Sequence, residues 1–87
     1  MSATVTVLYF AWLRERTGTS GEEIVLPDGV GTVSALVDFL VARSAGHAAA
    51  LQNRRTVRAA VNQEFVDVSA AVRPGDEVAF FPPVTGG

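Results

Sequence analysis

The sequence predicts an α+β fold, a small mixed sheet of four to five strands with one main helix packed on one face. Three observations carry that expectation. The chain opens on a clean two-residue alternation, Thr4-Val5-Thr6-Val7-Leu8-Tyr9-Phe10, which is the period of a half-buried strand. Val33, Leu36, Val37 and Leu40 recur at helical spacing behind Thr32, a good N-cap. The second half of the 87 residues returns to short β-rich runs separated by turn residues.

In the first strand, Val5, Val7 and Tyr9 share one face, while Thr4, Thr6, Leu8 and Phe10 share the other. The threonines mark the second face as the wetter one and leave Phe10 at its end. Ala11 to Arg16 has helix-forming residues and is closed by Thr17-Gly18, which predicts a helix of one to two turns. Trp12 on that helix reads as core or rim packing. Glu22 to Leu26 is a second strand, stopped by the turn residues Pro27-Asp28-Gly29. The main helix is expected from Thr32 to Arg43, with Gly46 ending it and a short helical turn over 47–51. Val57 to Val61 and Phe65 to Val68 read as two further strands around the turn Asn62-Gln63-Glu64. Arg73-Pro74-Gly75-Asp76 then turns into a last strand, Glu77 to Phe81.

Strand, strand, helix, then strands is a pattern that packs one helix against one sheet face. The corresponding fold is a β-grasp, the ubiquitin-like roll. Residues 1–81 are expected to form a single β-grasp domain, and residues 82–87 an extended, flexible C-terminal tail. A domain of this size buries about 60–65% of its unfolded surface, so one core is expected.

Composition excludes several chemistries. There is no cysteine, hence no disulfide, thiolate metal site or catalytic thiol. The net charge is −2 without a basic run, so no nucleic-acid partner is expected. No apolar run approaches the ~20 residues that span a bilayer, and the first residues do not read as a signal peptide. The expected location is therefore cytoplasmic, with no membrane partner. No nucleophile–base constellation or phosphate loop is present in the sequence. All seven basic residues are arginine.

The tail Phe80-Phe81-Pro82-Pro83-Val84-Thr85-Gly86-Gly87 is the informative segment. Proline cannot donate to a ladder, so the last strand should stop where Pro82 begins. Each proline fixes φ and extends the residue before it, which gives a stiff stalk. Gly86 and Gly87 lack a Cβ, so the tip is thin enough to thread a tunnel closed to larger residues. A terminal Gly-Gly alone would mean little, because glycine is common at chain ends. Two aromatics, a diproline and Gly-Gly together are much more specific.

With Gly75-Asp76-Glu77-Val78-Ala79 before it, this tail resembles that of the ThiS/MoaD ubiquitin-like family, in particular the sulfur-carrier small subunits of molybdopterin synthase. Val7-Leu8-Tyr9-Phe10-Ala11 with Leu13-Arg14-Glu15 and Gly18 is similar to that family's first strand and helix. Thr32-Val33 with Leu36, and Ala60-Val61-Asn62-Gln63, match its middle. The strand order of the β-grasp is implied by the resemblance alone.

The resemblance implies a carrier that is not catalytic by itself. Its Gly87 carboxylate would be adenylated by a MoeB-like enzyme using ATP and magnesium, with no cofactor or metal bound to the carrier. A sulfur donor such as a cysteine desulfurase or rhodanese would convert it to a thiocarboxylate. The tail, residues Pro82, Pro83, Val84, Thr85, Gly86 and Gly87, would then enter a MoaE-like large subunit. There the sulfur would pass to cyclic pyranopterin monophosphate, in a heterotetramer with the large subunits as its central dimer. Phe10, Phe65 and Phe81 match the family's hydrophobic partner-binding surface, and Arg14 could pair with acidic groups of a partner. Strand-end phenylalanines can instead fold back over a core, and Arg14 can simply be solvated. Alternatives are a sulfur carrier for thiamine or cysteine synthesis, or a ubiquitin-like protein modifier.

Other residues have blander readings. Arg54, Arg55 and Arg58 could form a positive edge near the tail or a solvated loop. His47 stands among alanines with no second metal ligand in view. Asp76 reads as the turn residue beside Gly75, not as half of a carboxylate pair with Glu77.

Overall fold

The computed structural model describes residues 3–83. The strands are β1 (Thr4–Tyr9), β2 (Gly21–Val25), β3 (Arg58–Val61), β4 (Glu64–Val66) and β5 (Glu77–Phe81). The helices are α1 (Trp12–Thr17), α2 (Val33–Val41) and α3 (Ala45–Leu51), with a single 3-10 turn at Arg54–Thr56. One sheet holds all five strands in the order β2-β1-β5-β3-β4. β1 and β5 are parallel at its centre, with Val7 opposite Val78 and Tyr9 opposite Phe80. The other pairings are antiparallel. This is the mixed sheet and helix arrangement of the β-grasp.

Alternation decides which side of the sheet is buried. Val5, Val7 and Tyr9 of β1 point inward with Val78 and Phe80 of β5, and all five are essentially inaccessible. They meet Val33, Leu36, Val37 and Leu40 from α2, Leu13 from α1, and Ala50 and Leu51 from α3. The Thr32 hydroxyl accepts the N–H of Ala35 at 3.1 Å and caps α2 as its sequence position predicts. Gly18 closes α1 in the left-handed region, donating to the carbonyl of Arg14 at 2.9 Å.

The helical segment differs from expectation. α2 stops at Val41, short of Arg43, and Gly46 does not terminate it. Ser44 starts a separate helix by accepting the N–H of His47 at 3.1 Å, and Gly46 lies inside α3. The reason is tertiary: a Cβ at Gly46 would fall on the carbonyl oxygen of Arg16, so glycine lets α3 close on α1.

The β3–β4 hairpin is tighter than expected. Asn62 and Gln63 alone form the turn, with φ of 51° and 70°, and Glu64 belongs to the strand. Two positive φ values are what a hairpin twist requires. Asn62 is anchored from three sides: its N–H donates to the carbonyl of Glu77, its Oδ1 accepts the N–H of Glu77, and its Nδ2 reaches Asp76. Asp76 also accepts the N–H of Arg73 at 2.8 Å, which makes it the turn residue that its place beside Gly75 predicts.

Candidate functional site

The solvent face of the sheet is assembled by register. Leu8 stands opposite Ala79, Ala79 opposite Ala60, and Ala60 opposite Phe65. Directly paired residues share a face, so these side chains run across four strands as one apolar strip. Phe81 lies one pleat beyond Ala79 on β5 and Phe10 one pleat beyond Leu8 on β1. The N–H of Phe10 donates to the carbonyl of Phe80 at 3.0 Å, which continues the pairing to the strand ends.

Phe65 is 84% exposed and Phe10 49% exposed, so neither folds back over the core. The rings of Phe65 and Phe81 pack against each other with centroids 5.5 Å apart, tilted by 46°. Ala60 beneath them is only 6% exposed although it faces away from the core. Phe10 is level with Phe81 across the β1–β5 pairing and is not part of that ring pair. Exposed aromatics grouped on a sheet face are a property of surfaces that bind other proteins.

Pro82 and Pro83 follow Phe81 directly and are half-buried, so the chain leaves the sheet from the aromatic end. Val84, Thr85, Gly86 and Gly87 lie outside the described residues. Arg14 is exposed on α1, the helix that begins two residues after Phe10. Among the described residues its guanidinium makes no ion pair.

Sequence reasoning offers Arg58 at a positive edge near the tail without fixing its place, and it misses the contacts of His47. Arg58 lies opposite Phe81 in the β3–β5 register and so stands at the root of the tail. His47 is buried and bonded to Ser44 and Glu22, not isolated. Strand order and a contact between residues 25 apart decide these placements, and neither leaves a local signal. Among the described residues no group of three His, Asp or Glu side chains could hold a metal ion, and no helix is long and apolar enough to cross a membrane.

This sheet order, with the chain leaving β5 past an aromatic face, is accompanied by a sequence match over most of its length. The profile of the ThiS family matches residues 7–87. The chain belongs to the ThiS family. Its relatives include the molybdopterin synthase sulfur carrier subunit of Escherichia coli (strain K12), 45% identical over 95% of this chain and 99% of that protein. The protein of the same name from Haemophilus influenzae is 40% identical over 95% of this chain and 99% of that protein. Among solved structures, the small archaeal modifier protein 1 of Haloferax volcanii superposes with a TM-score of 0.73. It is 31% identical, over 94% of this chain and 99% of that one. This ThiS family member therefore resembles proteins named as sulfur carriers and a protein named as a modifier.

Proposed function

We propose that the chain is the sulfur carrier of a molybdopterin synthase, donating sulfur from a thiocarboxylate at Gly87. The observation that carries this reading is 45% identity, across 95% of the chain, to a protein named for that role. The geometry agrees with it: a diproline stalk leaves the sheet after the half-buried Phe81, whose ring packs on the exposed Phe65 that a partner would cover.

The chemistry has two stages. A MoeB-like enzyme directs a Gly87 carboxylate oxygen onto the α-phosphorus of magnesium-bound ATP, and pyrophosphate leaves. Carboxylate oxygen is a poor leaving group, and the acyl-adenylate replaces it with AMP. A sulfur nucleophile supplied by a cysteine desulfurase or rhodanese then attacks the acyl carbon and AMP departs. A thiol reductant then cleaves the S–S bond of the acyl disulfide formed with the donor persulfide, the donor cysteine leaves, and Gly87 ends in a thiocarboxylate. In the MoaE-like large subunit this sulfur attacks cyclic pyranopterin monophosphate, and water hydrolyses the resulting thioester, so that the sulfur stays on the pterin and the Gly87 carboxylate is regenerated for another cycle. The carrier contributes the nucleophile and its delivery, while the large subunit contributes the active site.

The test is the intact mass after incubation with ATP, magnesium, a MoeB-like enzyme and a sulfide source. Replacement of one oxygen by one sulfur, mapped to Gly87, is the expected result. A chain extended by one residue beyond Gly87 should fold and remain unmodified. Sulfur transfer by the extended chain would sink the C-terminal mechanism.

A second reading, a ubiquitin-like protein modifier, is favoured by the likeness to the archaeal modifier. Both readings share the adenylation step. They separate on whether a tagged chain becomes amide-linked to other proteins in cells. Lysine-linked chains of this protein on itself cannot form, because it has no lysine.

A further inference from the structure

We propose that the groove between α2 and the β3–β4 edge seats an acidic, apolar segment of the large subunit that receives the tail, with Arg55 and Arg58 as its ionic contacts. The proposal rests on the sulfur-carrier reading above.

The groove lies at the edge of the sheet formed by β4, a strand of three residues. It is a cavity of about 400 Å³ whose accessible walls are Val57, Val66 and Val68, over a floor of the buried Val33, Val37, Leu51 and Phe80. Such a lining takes branched aliphatic or aromatic side chains.

Its rim carries Arg54, Arg55, Arg58 and Asp67, but these four charges are not equally available. Arg54 is committed to Asp38 and to the Ser34 hydroxyl. Asp67 is turned into its own loop, where it accepts the N–H of Val68 at 2.7 Å and the Ser69 hydroxyl at 3.3 Å. Arg55 and Arg58 make no ion pair among the described residues. Arg58 donates from Nη1 to the carbonyls of Arg55 and Val57 at 3.3 and 3.2 Å. Those bonds hold the guanidinium in place without neutralising it. Two unneutralised arginines thus border an apolar groove on a chain whose net charge is −2. The complement is a segment with carboxylates beside apolar side chains.

Position selects the partner. Arg58 lies opposite Phe81, after which the tail begins. A second cleft of about 260 Å³, between Phe65 and Phe81, shares Arg58, Ala59 and Val66 with the groove. Groove, arginines and aromatic pair therefore form one continuous surface around the tail root. A protein that swallows the tail and covers Phe65 and Phe81 reaches the groove without a second docking event. Its carboxylates would steer and orient the approach as well as add contact.

The experiment measures the Kd of the full chain for the purified MoaE-like large subunit at low and high salt. It compares the wild type with R55E/R58E and with R55Q/R58Q, the latter keeping side-chain length and hydrogen-bonding capacity. We expect R55E/R58E to bind about tenfold more weakly or worse at low salt. The neutral pair should fall between and lose most of the salt dependence, R55E/R58E should show it reversed because salt screens the new repulsion, and the thermal transition of R55Q/R58Q should stay in place. An unchanged Kd in both variants, with the wild type binding, would overturn this proposal and leave the sulfur-carrier reading standing. Absence of wild-type binding would instead remove that reading, and this proposal with it. Arg55 and Arg58 Nε–H signals in the free chain provide a further check. If they move with titration of the terminal carboxylate, the pair belongs to the chain's own tail and the proposal is overturned.

Discussion

His47 Nε2 lies 2.6 Å from Glu22 Oε2, joining α3 to β2 beneath the surface although 25 residues separate the two. The same carboxylate oxygen accepts the Tyr9 hydroxyl at 2.8 Å, and Arg43 approaches the other oxygen at 3.6 Å. The opposite ring nitrogen, Nδ1, meets the Ser44 hydroxyl at 2.6 Å. Three elements are thus tied through one acid, and among the described residues the buried polar side-chain atoms are all partnered.

The acid stability of the fold should depend on that carboxylate. Burial by itself would raise the pKa of Glu22. The hydrogen bonds from His47 and Tyr9, with the charges of His47 and Arg43, outweigh it and hold the carboxyl below its ordinary 4.5. A depressed folded value means that Glu22 contributes its stabilisation in full above the unfolded pKa. That contribution is lost as pH falls through the folded value. Denaturant unfolding of wild type and Glu22→Gln, from about pH 7 down to about pH 3, should show a stability gap that narrows below 4.5. A gap independent of pH would show that Glu22 is not coupled to folding in this way.

Gly46→Ala tests the closure of α3 on α1. In an unconstrained helix this change gains about 0.5–1 kcal/mol. Here the new Cβ meets the Arg16 carbonyl, a backbone atom that cannot rotate away. We expect a net loss of about 2 kcal/mol in urea unfolding. A stabilised variant would mean that the two helices stand further apart than this contact requires.

The hairpin offers a stabilising change. Gln63 holds φ at 70° in the second turn position, where a side chain is disfavoured. Gln63→Gly should stabilise the chain by about 0.5–1 kcal/mol, a rise of about 3–6 °C in Tm. Asn62 is the wrong residue to change, since its side chain bonds Glu77 and Asp76. A fall in Tm for Gln63→Gly would contradict the turn geometry.

The aromatic face should separate folding from association. Phe65 is 84% exposed, and its contact with Phe81 is worth no more than about 1 kcal/mol of stability. Phe65→Ala should therefore leave the fold nearly as stable, while binding to the large subunit falls by about tenfold or more. Calorimetry of unfolding and of association on the same preparation checks both halves. Loss of stability without loss of binding would assign the ring to the fold alone.

Much of this arrangement is legible in short stretches of sequence. The alternation of β1 is enough to place Phe10 on the wetter side, whereas both faces of β5 carry apolar side chains and only the sheet register puts Phe81 with Ala79 on the side away from the core. Thr32 and Gly18 mark one helix end each. Gly46 misleads because a glycine after a helical run usually ends it, and here its use is to admit a neighbouring backbone. His47 looks isolated along the chain because Glu22, its partner, is nowhere near it in the sequence.

What the sequence alone determined follows from local causes: period-two and helical patterning, capping residues, the stop imposed by Pro82-Pro83, and the absence of cysteine and lysine. Those suffice for the order of the strands and the main helix along the chain and for the buried side of β1. Strand order was not among them, and the tertiary structure decided it by placing β5 between β1 and β3. That placement sets Phe81 between Phe10 and Phe65 and puts Arg58 beside the tail root, while the packing of α3 over β2 brings His47 to Glu22. Each is a contact between segments far apart in the chain, and such contacts are chosen by the packing of the whole core, which no local pattern encodes.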